Sequence, residues 1–453
     1  MKIFDRKVYA QLLDWKRRLA GKYALLLEGA RRVGKTCVLK RFAENEYKSF
    51  IYIDFSMSDK RTSDARGAFG EARDIPDLLL RLQLIFETRL VEGKSCLIFD
   101  EVQRFPVARE AIKHLVAHGK FHYIESGSLV GIKENVRDIV IPSEEHKVKM
   151  FPLDFAEFLD ATGHVLVKEE LQRCGIDKTA PLAELHRGAL DLFRLYMVVG
   201  GMPQSVSAFV SADEDDGIYA SEDAKREILS LYEDDIGKYA KGYASKVWDV
   251  FRMVPSALNR HERKFHLADI SPDARMRRYE NAFLWLEDAM IVNTARNAFN
   301  PNLEMDMNID SSSFKCYLLD TGLLVTMAMG AGKATDPRIL RGLLHGNLGI
   351  NQGMFFENAV AQELVAQGDE LRFYSRKDLR NPGNTMEIDF LVKRGIKIAP
   401  IEVKSGRYRA HASLDRFLTK FRKDAAAGFV CCPGNYEKTD RIVYLPAYMA
   451  AWL

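Results

Sequence analysis

Gly29-Ala30-Arg31-Arg32-Val33-Gly34-Lys35-Thr36 lies between an apolar run, Tyr23–Glu28, and a segment whose apolar positions Val38, Leu39 and Phe42 follow a helical period. The spacing is GxxxxGK(S/T), and its context, strand before and helix after, is the one a phosphate-binding P-loop requires. The glycines let the backbone curl so that successive N–H groups point at phosphate oxygens, and the following helix N-terminus adds its dipole. In such a loop Lys35 bridges the β- and γ-phosphates and the Thr36 hydroxyl ligates Mg²⁺. The expected nucleotide-contacting residues are Gly29, Ala30, Arg31, Arg32, Val33, Gly34, Lys35, Thr36 and Cys37.

Two further stretches extend this reading. Cys96-Leu97-Ile98-Phe99-Asp100-Glu101 is an apolar strand ending in two acids, the Walker B pattern. Asp100 at the strand end suits the Mg²⁺ shell, and Glu101 suits orienting and deprotonating an attacking water, so hydrolysis is expected and not binding alone. Ser126, after the run Tyr123-Ile124-Glu125, is the polar residue that would sense the γ-phosphate, with plain turn capping as the alternative. Tyr23–Glu28, Phe50–Phe55, Ser95–Phe99 and Phe121–Glu125 read as buried strands alternating with amphipathic segments, which is a parallel α/β sheet.

At 453 residues the chain is long enough for about three domains at ~150 residues each. With 47% hydrophobic and 28% charged residues, it is not disordered, collagenous or a disulfide scaffold. The formal charge is only +3, so indiscriminate polycation binding is excluded and any nucleic-acid affinity is local. Charge is segregated, basic in the first 50 residues and acidic over Asp213–Asp235. No apolar run reaches the ~18–20 residues of a membrane helix, and the N-terminus meets charge too early for a signal peptide, so a cytoplasmic location without membrane partners is expected. The six cysteines show no CxxC spacing and are expected as free thiols.

The expected organisation is α/β and multidomain: a P-loop core over 1–155, a helical lid over 156–240, a winged-helix-like module over 241–330 and a last α/β domain over 331–453. The lid rests on the helical spacing of Leu185, Ala189, Leu192, Phe193 and Tyr196, ended by Gly200-Gly201-Met202-Pro203. The winged-helix reading rests on a helix through Trp248–Phe251, a helix start at Ser271-Pro272-Asp273 carrying Arg275, Arg277 and Arg278, and strands at Ile291–Ala295 and Phe314–Leu319. Gly330–Gly353 reads as a linker.

Near the C-terminus, Glu387–Lys404 reads as a hairpin turning at Gly395-Ile396 in a type II′ turn. That register sets Asp389 opposite Glu402, with Lys404 on the face of Glu402. Like charges face to face want a cation, so a Mg²⁺ site beside a lysine is a candidate. Glu357, on a helix whose i+3, i+4 and i+7 neighbours are Val360, Ala361 and Leu364, leans toward an apolar side, and an inward acid wants a partner. The plainer alternative is a solvated strand face with a Glu402–Lys404 ion pair. Arg372, Arg376, Lys377, Arg380, Lys393, Arg394, Lys397, Arg407, Arg409 and Arg416, interleaved with Phe373, Tyr374 and Tyr408, suit a polyanion, or equally a solvated basic face over core aromatics.

Taken in order, GARRVGKT, LIFDEVQRFP, the SGS step at 126–128, FPLDFAEFL, GGMPQ, VPSALNRHERKF, YLLDTGLL, FFENAVAQEL and IDFLVK with IEVKSG resemble the bacterial and archaeal ATPases that pair an AAA-type domain with a C-terminal domain of unknown function. The resemblance implies an ASCE-type ATPase core with ATP and Mg²⁺, and a last domain similar to the restriction-endonuclease-like fold. Glu357, Asp389, Glu402 and Lys404 resemble the PD-(D/E)xK signature, in which acids hold the metal that activates water and the lysine stabilises developing charge. One departure is that family members carry Gly-Arg before PLxFxEF, where this chain has Ser143-Glu144-Glu145-His146-Lys147. The transition-state arginine is left open among Arg104, Arg137 and Arg194. Two functions are expected of such a chain: an ATPase driving a metal-dependent nuclease on DNA or RNA, or an ATP-dependent switch whose C-terminal domain binds nucleic acid or protein without cutting. A homo-oligomer is compatible with either.

Overall fold

The computed structural model describes residues 2–129, 131–132, 142–260, 262–270, 275–330, 339–340, 342, 352–377 and 385–453. The helix start at Ser271-Pro272-Asp273, most of the linker Gly330–Gly353, Arg137 and Arg380 lie outside these residues. The chain divides into two units, one of Ile3–Phe151 with Asp288–Met290, the other of Met1–Lys2, Pro152–Glu287 and Ile291–Leu453.

The first unit is built on a five-stranded parallel sheet of β1 (Ala24–Glu28), β2 (Ser49–Asp54), β3 (Ser95–Asp100), β4 (His122–Gly127) and β5 (Glu145–Lys149), in the order β2-β3-β4-β1-β5. Strands covered on both faces read as continuous apolar runs, and β3 is buried at every position. The four expected strands are β1 to β4. The fifth is not evident in the sequence because Glu145-His146-Lys147-Val148-Lys149 has one apolar residue; it pairs in parallel with β1. Ile51, Ile53, Phe55, Leu79, Leu82, Leu97, Phe99, Ile112 and Leu115 pack one side of the sheet. Because β1, β3 and β4 are lateral neighbours, the loops after them open on one point at the carboxyl edge, where parallel α/β sheets place ligands.

In the second unit, helices run over Phe155–Ala161, Val165–Asp177, Ala183–Val199, Pro203–Ser211, Glu214–Tyr239 and Ala244–Leu258. An eight-stranded mixed sheet follows, made by β6 (Val292–Ala298), β7 (Ile309–Leu318), β8 (Arg372–Arg376), β9 (Met386–Arg394), β10 (Lys397–Val403), β11 (Gly428–Cys432), β12 (Glu437–Lys438) and β13 (Ile442–Pro446), in the order β12-β13-β11-β10-β9-β8-β6-β7. The two strands expected to form a wing are β6 and β7. They make no separate sheet, because β6 pairs in parallel with β8 and so joins them to the C-terminal strands. The β9–β10 register pairs Lys397 with Arg394 and Ile401 with Phe390, continuing through Pro400 without a shift. Gly395 at the turn has φ +60°, the conformation the first position of a II′ turn needs.

Segments far apart in sequence meet in one buried polar network. The Asp320 carboxylate accepts from Gly201 N at 2.6 Å and Leu323 N at 2.9 Å. Leu153 N donates to Gly201 O at 2.7 Å, Tyr196 OH donates to Leu153 O at 2.8 Å, and Gln362 Nε2 donates to Tyr196 OH at 2.8 Å. Lys225 Nζ donates to Val198 O at 2.6 Å and pairs with Glu222 at 2.9 Å. Gly201 is obligatory here, since a Cβ on it would sit 2.0 Å from Leu153 O. Gly201→Ala is expected to destabilise the protein by about 2–4 kcal/mol, because a backbone carbonyl cannot step aside. Urea titration followed by tryptophan fluorescence checks this; an unchanged midpoint would show that the loop yields.

Candidate nucleotide and ion-pair sites

The P-loop fills the turn between β1 and the helix Lys35–Glu46. Gly34 caps that helix in the left-handed region at φ +99°, and a Cβ on Gly29 would lie 2.4 Å from Met150 O, so both glycines answer to geometry. Arg6 braces the loop, donating to Val33 O at 2.9 Å and to Phe151 O at 2.7 Å. Lys35 is buried, and its Nζ donates back to Gly29 O at 2.8 Å and Ala30 O at 3.0 Å. Burial lowers its pKa to about 8, against the pull of Glu101 and Asp100. An ammonium held by carbonyls and short of solvent is poised for a stronger anionic partner such as phosphate.

Asp100 is the hub. Its Oδ2 accepts from Thr36 Oγ1 at 2.7 Å and Tyr52 OH at 2.6 Å, and its Oδ1 accepts from Ser126 Oγ and from Glu101 N at 3.0 Å. Thr36, Asp100 and Ser126, expected from three separate stretches, therefore meet. A hydroxyl and a carboxylate in contact are hard oxygen donors and fit Mg²⁺ chemically. Glu101 follows with φ +51°, a left-handed non-glycine conformation of the kind found at functional sites. Burial raises the pKa of its carboxyl, countered in part by Lys35, and Gln103 Nε2 holds it at 2.5 Å. Tyr52 was not singled out in the sequence; its signal was a polar tip among the apolar positions of β2.

Of the candidate arginines, Arg104 is exposed in the turn Val102–Arg104, while Arg194, in the other unit, pairs with Asp191 at 2.9 Å. Nothing in either setting selects one.

In the second unit, Glu357, Asp389 and Glu402 do gather, but around protein cations. Lys315 on β7 is fully buried, and its Nζ reaches Asp389 Oδ1 at 3.0 Å, Glu357 Oε1 at 3.2 Å and Glu387 Oε1 at 3.2 Å. Arg263 pairs with Glu357 Oε2, and Tyr317 OH donates to Glu357 Oε1 at 2.6 Å. Asp389 Oδ2 accepts from Val403 N at 2.9 Å. Burial would raise the Asp389 pKa, but Lys315 and Arg263 outweigh it and hold the carboxyl below its ordinary value. Glu402 pairs with Lys404 at 2.6 Å, and burial raises its pKa. Among the described residues, no group of three or more His, Cys, Asp or Glu side chains is arranged to hold a metal ion. With their oxygens engaged by an ammonium, a guanidinium and a backbone N–H, Glu357 and Asp389 do not fit a divalent cation. Lys315 and Arg263 were not anticipated, although a lysine inside Phe314-Lys315-Cys316-Tyr317-Leu318 breaks an otherwise buried run.

Five residues of the basic cluster are paired with acids, while Arg376, Lys397 and Arg407 are exposed. Arg372 and Lys393 share Asp306 at 3.0 and 2.5 Å, Arg394 meets Asp369 at 2.8 Å, Lys377 meets Glu262 at 2.6 Å and Arg409 meets Glu437 at 2.5 Å. Phe373 and Tyr374 are buried and offer no stacking face.

Residues 21–159 match the AAA domain family. The AAA match spans the P-loop, Asp100, Glu101 and Ser126. Residues 190–334 match a domain of unknown function (DUF8612), and residues 352–449 match another (DUF4143). No curated protein matches the chain. Similar solved structures include the Walker-type ATPase PABY2304 of Pyrococcus abyssi, with 17% identity, 72% of this chain and 96% of that one covered, and a TM-score of 0.43. They also include AMPPCP-bound DnaA from Aquifex aeolicus, with 14% identity, 64% and 89% covered and a TM-score of 0.28. A third is Drosophila ORC bound to DNA, with 10% identity, 69% and 92% covered and a TM-score of 0.27. Among the described residues, no helix is long and apolar enough to cross a membrane.

Beside Ser126 lies a buried acid, Glu125. Glu125 precedes Ser126 on β4; burial first, and Glu145 second, push its carboxyl well above 4.5. Arg109 is committed to Glu145 in a buried bidentate pair at 2.8 and 3.0 Å. A folded-state pKa raised above the unfolded value means stability that is full below that unfolded value and lost as pH climbs through the folded one. Glu125→Gln keeps the neutral shape, so its thermal midpoint is expected to vary less with pH and to equal or exceed wild type at alkaline pH. Melting curves across neutral and alkaline pH check this; a decline in the variant as steep as in wild type refutes it.

Proposed function

We propose that the chain binds and hydrolyses ATP with Mg²⁺ through the P-loop residues, Asp100, Glu101 and Ser126, and that this cycle governs a C-terminal segment that binds a partner without cutting nucleic acid. The observation that carries the first half is the 2.7 Å contact between Thr36, in the first turn of the helix that follows β1, and Asp100, at the end of β3. The Gly29–Cys37 backbone would cradle the phosphates, and Lys35, its proton loosened by burial, would regain full charge on meeting them. Thr36 and Asp100 would hold Mg²⁺, which when bound neutralises charge developing on phosphate oxygens. Glu101, a half-buried carboxylate with raised proton affinity, suits taking the proton of water, and Gln103 orients it.

The second half is supported by the ion pairs around Lys315. They favour a non-cleaving module over the metal-dependent nuclease that the Asp389, Glu402 and Lys404 pattern suggests. The kind of partner, nucleic acid or protein, follows from a binding assay at graded salt, where phosphate contacts weaken steeply.

Lys35→Ala is expected to weaken ATP binding by at least ~100-fold. Glu101→Gln is expected to keep ATP binding while lowering turnover by ~10²–10⁴-fold, the usual contribution of a general base. Fluorescent-nucleotide titration and phosphate release measure the two; wild-type turnover in Glu101→Gln removes that residue as the base. Incubation with single-stranded, duplex and branched DNA and with RNA, in Mg²⁺ or Mn²⁺ with and without ATP, is expected to give no cleavage. Cleavage that Asp389→Asn abolishes would restore the nuclease reading.

A further inference from the structure

We infer that Lys315 is a built-in counter-ion that closes the C-terminal carboxylate site to divalent cations. The inference rests on the non-cleaving reading of that segment and gives it a physical cause. An ammonium has three N–H donors, and the Lys315 Nζ faces three carboxylates, Glu357, Glu387 and Asp389, at 3.2, 3.2 and 3.0 Å, with its side chain fully buried. Two of these contacts, to Glu357 and Asp389, are hydrogen bonds, and Glu387 is held by charge. The remaining oxygens of two of those acids are also engaged, Glu357 Oε2 by Arg263 and Asp389 Oδ2 by Val403 N at 2.9 Å.

Charge closes the argument. Glu357, Glu387, Asp389 and Glu402 are offset by Lys315, Arg263 and Lys404, leaving a single surplus negative charge around a largely buried site. A divalent ion added to that set would turn it net positive, and Mg²⁺ or Mn²⁺ needs several oxygens free to approach within ~2.1 Å. Only Glu402 Oε2 among these acids is both buried and without a hydrogen bond or ion-pair partner. Removing the Lys315 ammonium subtracts one positive charge, frees Asp389 Oδ1 and Glu387 Oε1, and leaves Glu357 Oε1 with only the Tyr317 hydroxyl, the two kinds of change a metal site needs.

The test is Mn²⁺ titration of the full-length protein without nucleotide, by calorimetry and by the paramagnetic signal of free Mn²⁺. Wild type and Asp389→Asn are expected to bind Mn²⁺ identically, so that any weak binding at the P-loop cancels. Lys315→Ala is expected to gain one site per chain, at least ~10-fold tighter than any wild-type binding and in the sub-millimolar range of exposed oxygen-ligand sites. The gained site should vanish in the Lys315→Ala/Asp389→Asn double variant, and Mn²⁺ should raise the melting temperature of Lys315→Ala alone. Wild-type Mn²⁺ binding that Asp389→Asn weakens overturns the inference, as does a folded Lys315→Ala protein that gains no site. If Lys315→Ala does not fold, the wild-type and Asp389→Asn comparison decides alone. Metal binding without cleavage defeats this inference and leaves the non-cleaving reading standing, whereas metal-dependent cleavage defeats both.

Discussion

The second unit depends on one buried carboxylate. Asp320 caps the helix Thr321–Met329 through Leu323 N and, with its other oxygen, takes the N–H of Gly201 at the end of an unrelated helix. Burial raises the Asp320 pKa, partly offset by those backbone donors, so the contact is tolerable only where nothing separates the partners. That demand explains the glycines: a Cβ on Gly200 would meet Asp320 Oδ1 at 2.4 Å, and one on Gly322 would meet Gly200 Cα at 2.6 Å. From Gly201 the bonding passes to Leu153, Tyr196 and Gln362, so the positions of helices and of the sheet-bearing segment follow from a single polar anchor. A network of this kind is costly when incomplete, which makes it selective for one arrangement of the chain.

The two carboxylate sites show how the partner of an acid decides what it can do. Asp100 is surrounded by neutral donors, the hydroxyls of Thr36, Tyr52 and Ser126 and a backbone N–H, which orient its charge without cancelling it. Glu357 and Asp389 face an ammonium and a guanidinium, which cancel theirs. Desolvated ion pairs of the second kind hold geometry in place and offer little to an incoming ligand.

How much was legible in the sequence follows from the range of each interaction. The P-loop, the acids after β3 and the strands β1 to β4 are local patterns of period, glycine placement and apolar runs, and they stood out. The hairpin register was legible because a two-residue turn fixes it, and the structure carries it to Ile401 opposite Phe390. What the sequence hid was pairing at a distance: Lys315 reaches Glu357 and Asp389 across 42 and 74 residues, and no periodicity reports that. For the same reason the winged-helix strands could not be assigned to a sheet, since membership depends on the distant pairing of β6 with β8. The basic residues were visible, but the acids that neutralise them, Asp306 and Glu262 among them, lie far off in the chain.

The strand that escaped notice has its own logic. β5 forms an edge of the five-stranded sheet, with one rim of backbone amides and carbonyls outside the pairing to β1. An apolar edge of that kind invites a strand from another molecule, and the association can propagate. Here the strand is only Glu145-His146-Lys147-Val148-Lys149, with Lys147 half exposed near Glu28 and Glu145 drawn inward by Arg109. A strand adding itself alongside would have to strip water from Lys147 and Lys149. The residues that disguise β5 in the sequence are thus a gatekeeper against aggregation, and exchanging Lys147 and Lys149 for valine would make the strand easy to recognise and hazardous to keep in solution.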